Sequence, residues 1–220
     1  MTTETVPHTP HPHTVAHQFD DATQQREASE LGMWIFLCTE IMFFGGLFLA
    51  YAIYRHQGYA GFAAASHKLD VLMGTFNTAI LLTSSLFMVF AAHAAEHGDR
   101  KELVRSLSLT IGLGTLFLAI KAYEYYLKYE HGLMPLGGLP FHWEGPHREH
   151  AQQFFNLYYL MTVVHALHMV IGLAILGIYL AQATHDKPVP ELASRVHITG
   201  LYWHFVDVVW VFLFPLLYLI

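Results

Sequence analysis

Long apolar runs separated by short polar breaks dominate the chain from residue 31 onward. Five runs stand out, at about 31–54, 69–93, 103–127, 154–181 and 197–220. Each is long enough to cross the hydrocarbon core of a bilayer, which takes about 20 residues of helix. Backbone N–H and C=O groups find no water in lipid, so runs of this length are predicted as α-helices. Strands of a membrane barrel would alternate apolar and polar residues over about 10 positions, and no such pattern is present. The breaks carry turn chemistry: Gly58 and Gly61 in the first, His97-Gly98-Asp99-Arg100 in the second, and Pro188 and Pro190 in the last. The break between the third and fourth runs, about Glu130–Gln153, is the longest and holds Pro135, Gly137, Gly138, Pro140, Gly145 and Pro146. The expected fold is all-α, a five-helix transmembrane bundle without internal repeats.

Composition agrees. Of 220 residues, 54% are hydrophobic and only 13% charged, about half the charge of a soluble domain. The net charge of −6 comes from short acidic segments, which excludes a nucleic-acid surface. Cys38 is the one cysteine, so neither an internal disulfide nor a thiolate cluster is available. Residues 1–30 read as a polar tail. Its Pro7-His8-Thr9-Pro10-His11-Pro12-His13 stretch is incompatible with a helix. His8, His11, His13 and His17 could bind a metal loosely, although a solvated tail explains them as well. Those residues lack the apolar core of a cleaved signal peptide, so the first run is expected to act as an uncleaved anchor. With the N-terminus inside, inner segments carry Arg26, Arg100, Lys101, Arg105, Lys187 and Arg195, and outer ones Arg55, Lys68, Lys128 and Arg148. Six against four favours a cytoplasmic N-terminus and an external C-terminus.

Ionisable residues inside the runs narrow the chemistry, because such groups are costly in lipid and turn toward the protein interior. Glu40 lies in the first run, Lys121 and Glu124 in the third, His165 and His168 in the fourth, His204 and Asp207 in the fifth. At a rise of about 1.5 Å per residue, Glu40, His204 and Asp207 sit roughly 10–15 Å from the inner ends of their helices, and His168 roughly 20 Å from its own. Similar depth, and the i,i+3 spacing of each pair, predict that Glu40, His165, His168, His204 and Asp207 converge in one buried polar network. Lys121 and Glu124, also i,i+3 and near the outer end, form a secondary pair that neutralises itself or snorkels. Trp34, Trp203 and Trp210 are candidates for packing or lipid contact, and Gly45, Gly46, Gly112 and Gly172 for close helix approach. Three readings of the network stay open: interhelical glue, a proton-linked or lipid-contacting role, and a metal or haem site. The only Glu-x-x-His match is Glu144–His147, in a proline-bearing loop, so a di-iron bundle is not indicated. No nucleophile motif or phosphate-binding loop appears.

Four stretches resemble a known family: Leu31-Gly32-Met33-Trp34-Ile35-Phe36-Leu37-Cys38-Thr39-Glu40-Ile41-Met42-Phe43-Phe44; Asn77-Thr78 with Leu81-Leu82-Thr83-Ser84-Ser85; Tyr123-Glu124-Tyr125 with His165-Ala166-Leu167-His168 and Gly172; and Trp203-His204-Phe205-Val206-Asp207-Val208-Val209-Trp210. Together they look like subunit III of the haem–copper oxidases, cytochrome c oxidase in particular, in the five-helix bacterial form. The resemblance implies a subunit that carries no cofactor of its own and packs against catalytic subunit I. Haem and copper would lie in partner subunits, with structural phospholipids bound. It also implies a role in proton uptake by subunit I, other oxidase subunits and possible cytochrome c or supercomplex partners, and a place in a bacterial plasma membrane. Glu40 matches the family's buried carboxylate, His168, His204 and Asp207 the polar positions around it, and Glu124 a glutamate of the third helix. Departures are visible: the first two helices of seven-helix members are missing, Ala166 stands where the glycine of His-Gly-Leu-His is usual, and the loop Glu130–Gln153 is extended.

The alternatives are subunit III of a quinol oxidase, an accessory subunit of a nitric oxide reductase complex and, from other classes, a stand-alone transporter or a membrane cytochrome. An odd helix count without inverted halves argues against a typical transporter.

Overall fold

A computed structural model describes residues 18–135, 141–185 and 188–220. The described residues form six helices: α1 (Ala22–Gln57), α2 (Tyr59–Ser66), α3 (Val71–Glu96), α4 (Arg100–Glu130), α5 (Arg148–Thr184) and α6 (Val189–Tyr218). All but α2 are long and apolar enough to cross a membrane. The chain is an all-helical, multi-pass membrane protein.

The helices outrun the apolar runs because their ends are set by capping rather than by hydropathy. Asp21, Asp70 and Asp99 each accept a hydrogen bond from the backbone N–H three residues on, at 2.7, 3.0 and 3.1 Å. Each thereby satisfies a donor that a helix start leaves open. The expected edge of the polar tail at residue 30 therefore falls inside a helix. Residues 22–30 belong to α1, where Arg26 and Glu30 pair at 3.4 Å one turn apart. The histidines of the tail, at 8, 11, 13 and 17, lie outside the described residues. The two proline-bearing breaks are correspondingly shorter than expected. α5 starts at Arg148, and α6 at Val189 with Pro190 in its first turn, where a missing N–H costs nothing. The first break contains the extra helix α2, whose eight residues are too few for a periodicity signal.

α3, α4, α5 and α6 make a four-helix body. α3 is antiparallel to α4, with Ser84 Oγ donating to the Thr110 carbonyl at 3.1 Å, and to α6, with Trp203 Nε1 donating to Ser84 Oγ at 3.2 Å and Trp210 Nε1 to Thr78 Oγ1 at 3.0 Å. α1 lies outside this body along α5 and α6, parallel to α6 through the ring pairs Phe36–Tyr202, Phe44–Phe205 and Phe48–Phe212. Half of the apolar window of α6 is buried but only 11% of that of α1, so α6 is the axis of the fold and α1 its rim. Trp203 fills the centre. Glycines flank it on two helices: a Cβ would lie 2.9 Å from its ring at Gly114 and 3.0 Å at Gly172. The other glycines proposed for close approach, Gly45, Gly46 and Gly112, face open space with no atom within 4 Å. α1's outer side is not packed against this chain, and Gly112, two residues from Gly114, is turned about 200° away from the Gly114 contact face.

Candidate functional site

The ionisable groups of the membrane segments occupy three separate places, with His165 apart from all of them. The first joins α1 to α5. Glu40 Oε2 lies 3.1 Å from His168 Nε2, with side-chain exposures of 18% and 14%. His168 Nδ1 faces the Val164 carbonyl at 2.8 Å and must donate there, because a carbonyl only accepts. Nε2 and the carboxylate would then both be acceptors, so the short contact requires one proton between them. Phe44 closes one side edge-on, with its ring centre 5.4 Å from that of the imidazole, and Tyr202 OH donates to the His168 carbonyl at 2.9 Å. The arrangement holds a single shared proton at a half-buried point of the rim.

The second place joins α3 to α6. Ser85 Oγ and His204 Nδ1 are 2.6 Å apart. Asp207, one turn further along, is buried near Ser85, yet neither carboxyl oxygen has a hydrogen-bond partner among the described residues. His165 stands apart again. Both ring nitrogens are buried without a hydrogen-bond partner among the described residues, and the imidazole packs as an aromatic against Trp210 and Phe117, with ring centres 5.3 and 5.7 Å away. The structure thus brings together Glu40 with His168 and His204 with Ser85, but does not join all five expected groups by hydrogen bonds. The reason is angular. Residues three apart on a helix differ by about 60° in direction. In a bundle with several neighbours, that sends His165 toward α4 and α6 and His168 toward α1.

The third place, expected to be secondary, is the most completely bonded. Lys121 Nζ donates to Glu124 Oε2 at 2.9 Å, to Tyr218 OH at 2.8 Å and to Tyr158 OH at 3.1 Å. Tyr158 OH donates in turn to Glu124 Oε1 at 3.1 Å, and Tyr218 OH lies 2.8 and 2.9 Å from the two carboxylate oxygens. The ammonium also sits 5.1–5.5 Å from the ring centres of Tyr125, Tyr158, Trp210 and Tyr218. Lys121 and Glu124 are 5% and 2% exposed, so the pair neutralises itself in the interior and does not snorkel. A buried ion pair is tolerated when its remaining donors and acceptors are matched, and the two phenols match them. Tyr158 and Tyr218 escaped the sequence reading, although a signal exists. Tyr158 lies two turns before His165 and Tyr218 about two turns after Trp210, on the same inward faces.

Of the tryptophans, Trp203 and Trp210 are fully buried and Trp34 is 56% exposed on α1. Another contact outside the sequence expectations steadies the end of α6. Pro215 lies inside that helix, and just beyond it the carbonyls of Leu216 and Leu217 accept from Tyr51 OH at 2.6 Å and Ser66 Oγ at 2.8 Å. Among the described residues no three His, Cys, Asp or Glu side chains converge as a metal-ligand group. The geometry provides proton-sharing pairs, a satisfied ion pair and interhelical ties.

The chain matches the family model described as cytochrome c oxidase subunit III over residues 15–130 and 144–220. It is 33% identical over 210 residues to cytochrome c oxidase subunit 3 of Corynebacterium diphtheriae, covering 91% of this chain and 96% of that one. The like-named protein of Thermostichus vulcanus is 31% identical over 91% of this chain and 92% of its own. That of Sus scrofa is also 31% identical, over 85% of this chain but only 67% of its own longer length. The matched regions run from before α1 through the end of α4 and from the start of α5 through α6, taking in Glu40, Lys121, Glu124, His165, His168, His204 and Asp207. The family match over most of the chain, together with these relatives, therefore places it in the cytochrome c oxidase subunit III family.

Proposed function

We propose that this chain is the non-catalytic third subunit of a membrane cytochrome c oxidase, packed beside the subunit that reduces oxygen. The observation that carries the reading is the family match along almost the whole chain, at 96% coverage of a relative bearing that name. Oxidoreductase activity belongs to the complex. Haem and copper belong to its partner subunits, with subunit I the main contact and phospholipids filling the surface between them. The rim helix α1 supports such a contact, since its apolar side is left open by its own chain. The Lys and Arg distribution supports a cytoplasmic N-terminus, and near-complete coverage of a bacterial relative, against two thirds of the longer mammalian one, supports a bacterial plasma membrane.

Within the complex, the Glu40–His168 pair is suited to a proton-linked role. The pair lies between α1 and α5 with both side chains partly exposed, where a neighbouring subunit or lipid can reach it. A tagged chain drawn from its own membranes in mild detergent tests the assignment. Co-elution with a haem- and copper-bearing subunit and cytochrome c oxidation is the expected result. A chain that elutes alone, or with its own haem absorption, would overturn it.

A further inference from the structure

Histidine repeatedly folds back in this chain onto the carbonyl four residues earlier. His168 does so on Val164 at 2.8 Å, His131 on Leu127 at 2.5 Å and His97 on His93 at 2.9 Å, each through Nδ1. The contact fixes the tautomer: Nδ1 carries the hydrogen and Nε2 keeps its lone pair. In His168 that lone pair faces Glu40. In His97, which is exposed at the end of α3, it has no hydrogen-bond partner among the described residues. Metal-bound histidines show the same arrangement, with one nitrogen on a carbonyl and the other on the ion.

A second imidazole stands beside it. His93 is one helical turn earlier, also exposed, with its ring centre 4.1 Å from that of His97 and the planes 41° apart. Its ring nitrogens make no hydrogen bond to the protein among the described residues. Two metal–nitrogen bonds of about 2.0–2.1 Å at a tetrahedral angle require nitrogens roughly 3.4 Å apart, which adjacent rings at this separation can supply by small rotations. Glu96, between the two, adds negative charge and lies 3.7 Å from His197 Nδ1 on α6.

We propose that His93 and His97 form a two-histidine clamp for a divalent transition-metal ion, Zn2+, Ni2+ or Cu2+, at the membrane surface where α3 ends. Imidazole nitrogens select these ions over Mg2+ and Ca2+, with Cu2+ held most tightly. Only two protein ligands are offered and solvent completes the shell, so the ion exchanges readily. Its effect is to staple the last turn of α3 ahead of the turn through Gly98 into α4.

The test uses the full chain, isolated in mild detergent from its own membranes with whatever accompanies it. His8, His11, His13 and His17 are changed to Gln so that the tail contributes no binding. After equilibrium dialysis against Zn2+ or Ni2+, this parent should hold one more exchangeable ion than H93Q or H97Q. With Zn2+ at ten times its dissociation constant, hydrogen exchange at the end of α3 should slow about elevenfold in the parent. It should be unchanged in H97Q and unaffected by Mg2+. Unaltered helix content in both variants establishes that they fold. Equal ion counts in parent and variants, or equal slowing in H97Q, would overturn the proposal. Comparing parent with variant cancels any metal brought by accompanying subunits, so the result does not depend on what co-purifies.

Discussion

Glu40 and His168 are 128 positions apart in the chain and share one proton across 3.1 Å, tying the rim helix α1 to α5. The imidazole is oriented for this by its own helix, through the Val164 carbonyl. Glu40→Gln keeps the link, since an amide N–H can donate to Nε2. Glu40→Ala removes it and leaves a half-buried nitrogen unpartnered, a loss of about 1–3 kcal/mol. Thermal unfolding in detergent should rank wild type near E40Q and both above E40A. Indistinguishable E40Q and E40A would show that the pair contributes nothing to holding α1.

The Lys121–Glu124 cage makes a different prediction, because both charges are enclosed. Removing one partner, by Lys121→Met or Glu124→Gln, leaves the other without its counter-charge and costs about 3–5 kcal/mol. The double variant K121M/E124Q should be less damaged than the sum of the singles. A double-mutant cycle read by denaturation midpoint measures the coupling, and additive losses would contradict the geometry of the cage.

Trp203 is wedged between two helices at Gly114 and Gly172. Alanine at either position puts a methyl about 3 Å from the indole, and overpacking of this kind costs about 1–3 kcal/mol. Gly112→Ala is the control: it meets nothing within 4 Å and should gain up to about 1 kcal/mol from helix propensity. Opposite signs for G114A and G112A in thermal unfolding are expected.

Tyr51→Phe tests the support of α6 beyond Pro215. The variant keeps the ring and its contacts with Phe62 and Phe154 but leaves the Leu216 carbonyl without its donor, at about 1 kcal/mol. Faster hydrogen exchange confined to the last turn of α6 is the expected signature. Exchange that rises evenly along all helices would point to a general packing defect instead.

The membrane helices are legible in the chain because lipid leaves the backbone no alternative to helix, and an apolar run of sufficient length is therefore sufficient evidence. Their ends are not, since capping by Asp21, Asp70 and Asp99 extends them into polar sequence that hydropathy ignores. The polar residues announce themselves by being costly in lipid. What hydropathy cannot give is lateral direction. His165 and His168 look equivalent as letters, yet one packs as an aromatic and the other bonds to Glu40, because about 60° of rotation separates their neighbours. Tyrosine is harder still to read. Tyr158 and Tyr218 serve as apolar packing and as hydrogen-bonding groups at once, and only the position of Lys121 reveals which.

The spacing within the cage has a consequence for biosynthesis. Glu124 is three residues from Lys121 and is present as soon as one turn of α4 forms, whereas Tyr218 is made 97 residues later. At about 5–20 residues per second of synthesis, the lysine waits roughly 5–20 s for that phenol. During that interval its counter-charge comes from its own helix, so α4 can enter the bilayer as an electrically balanced segment before the rest of its surroundings exist.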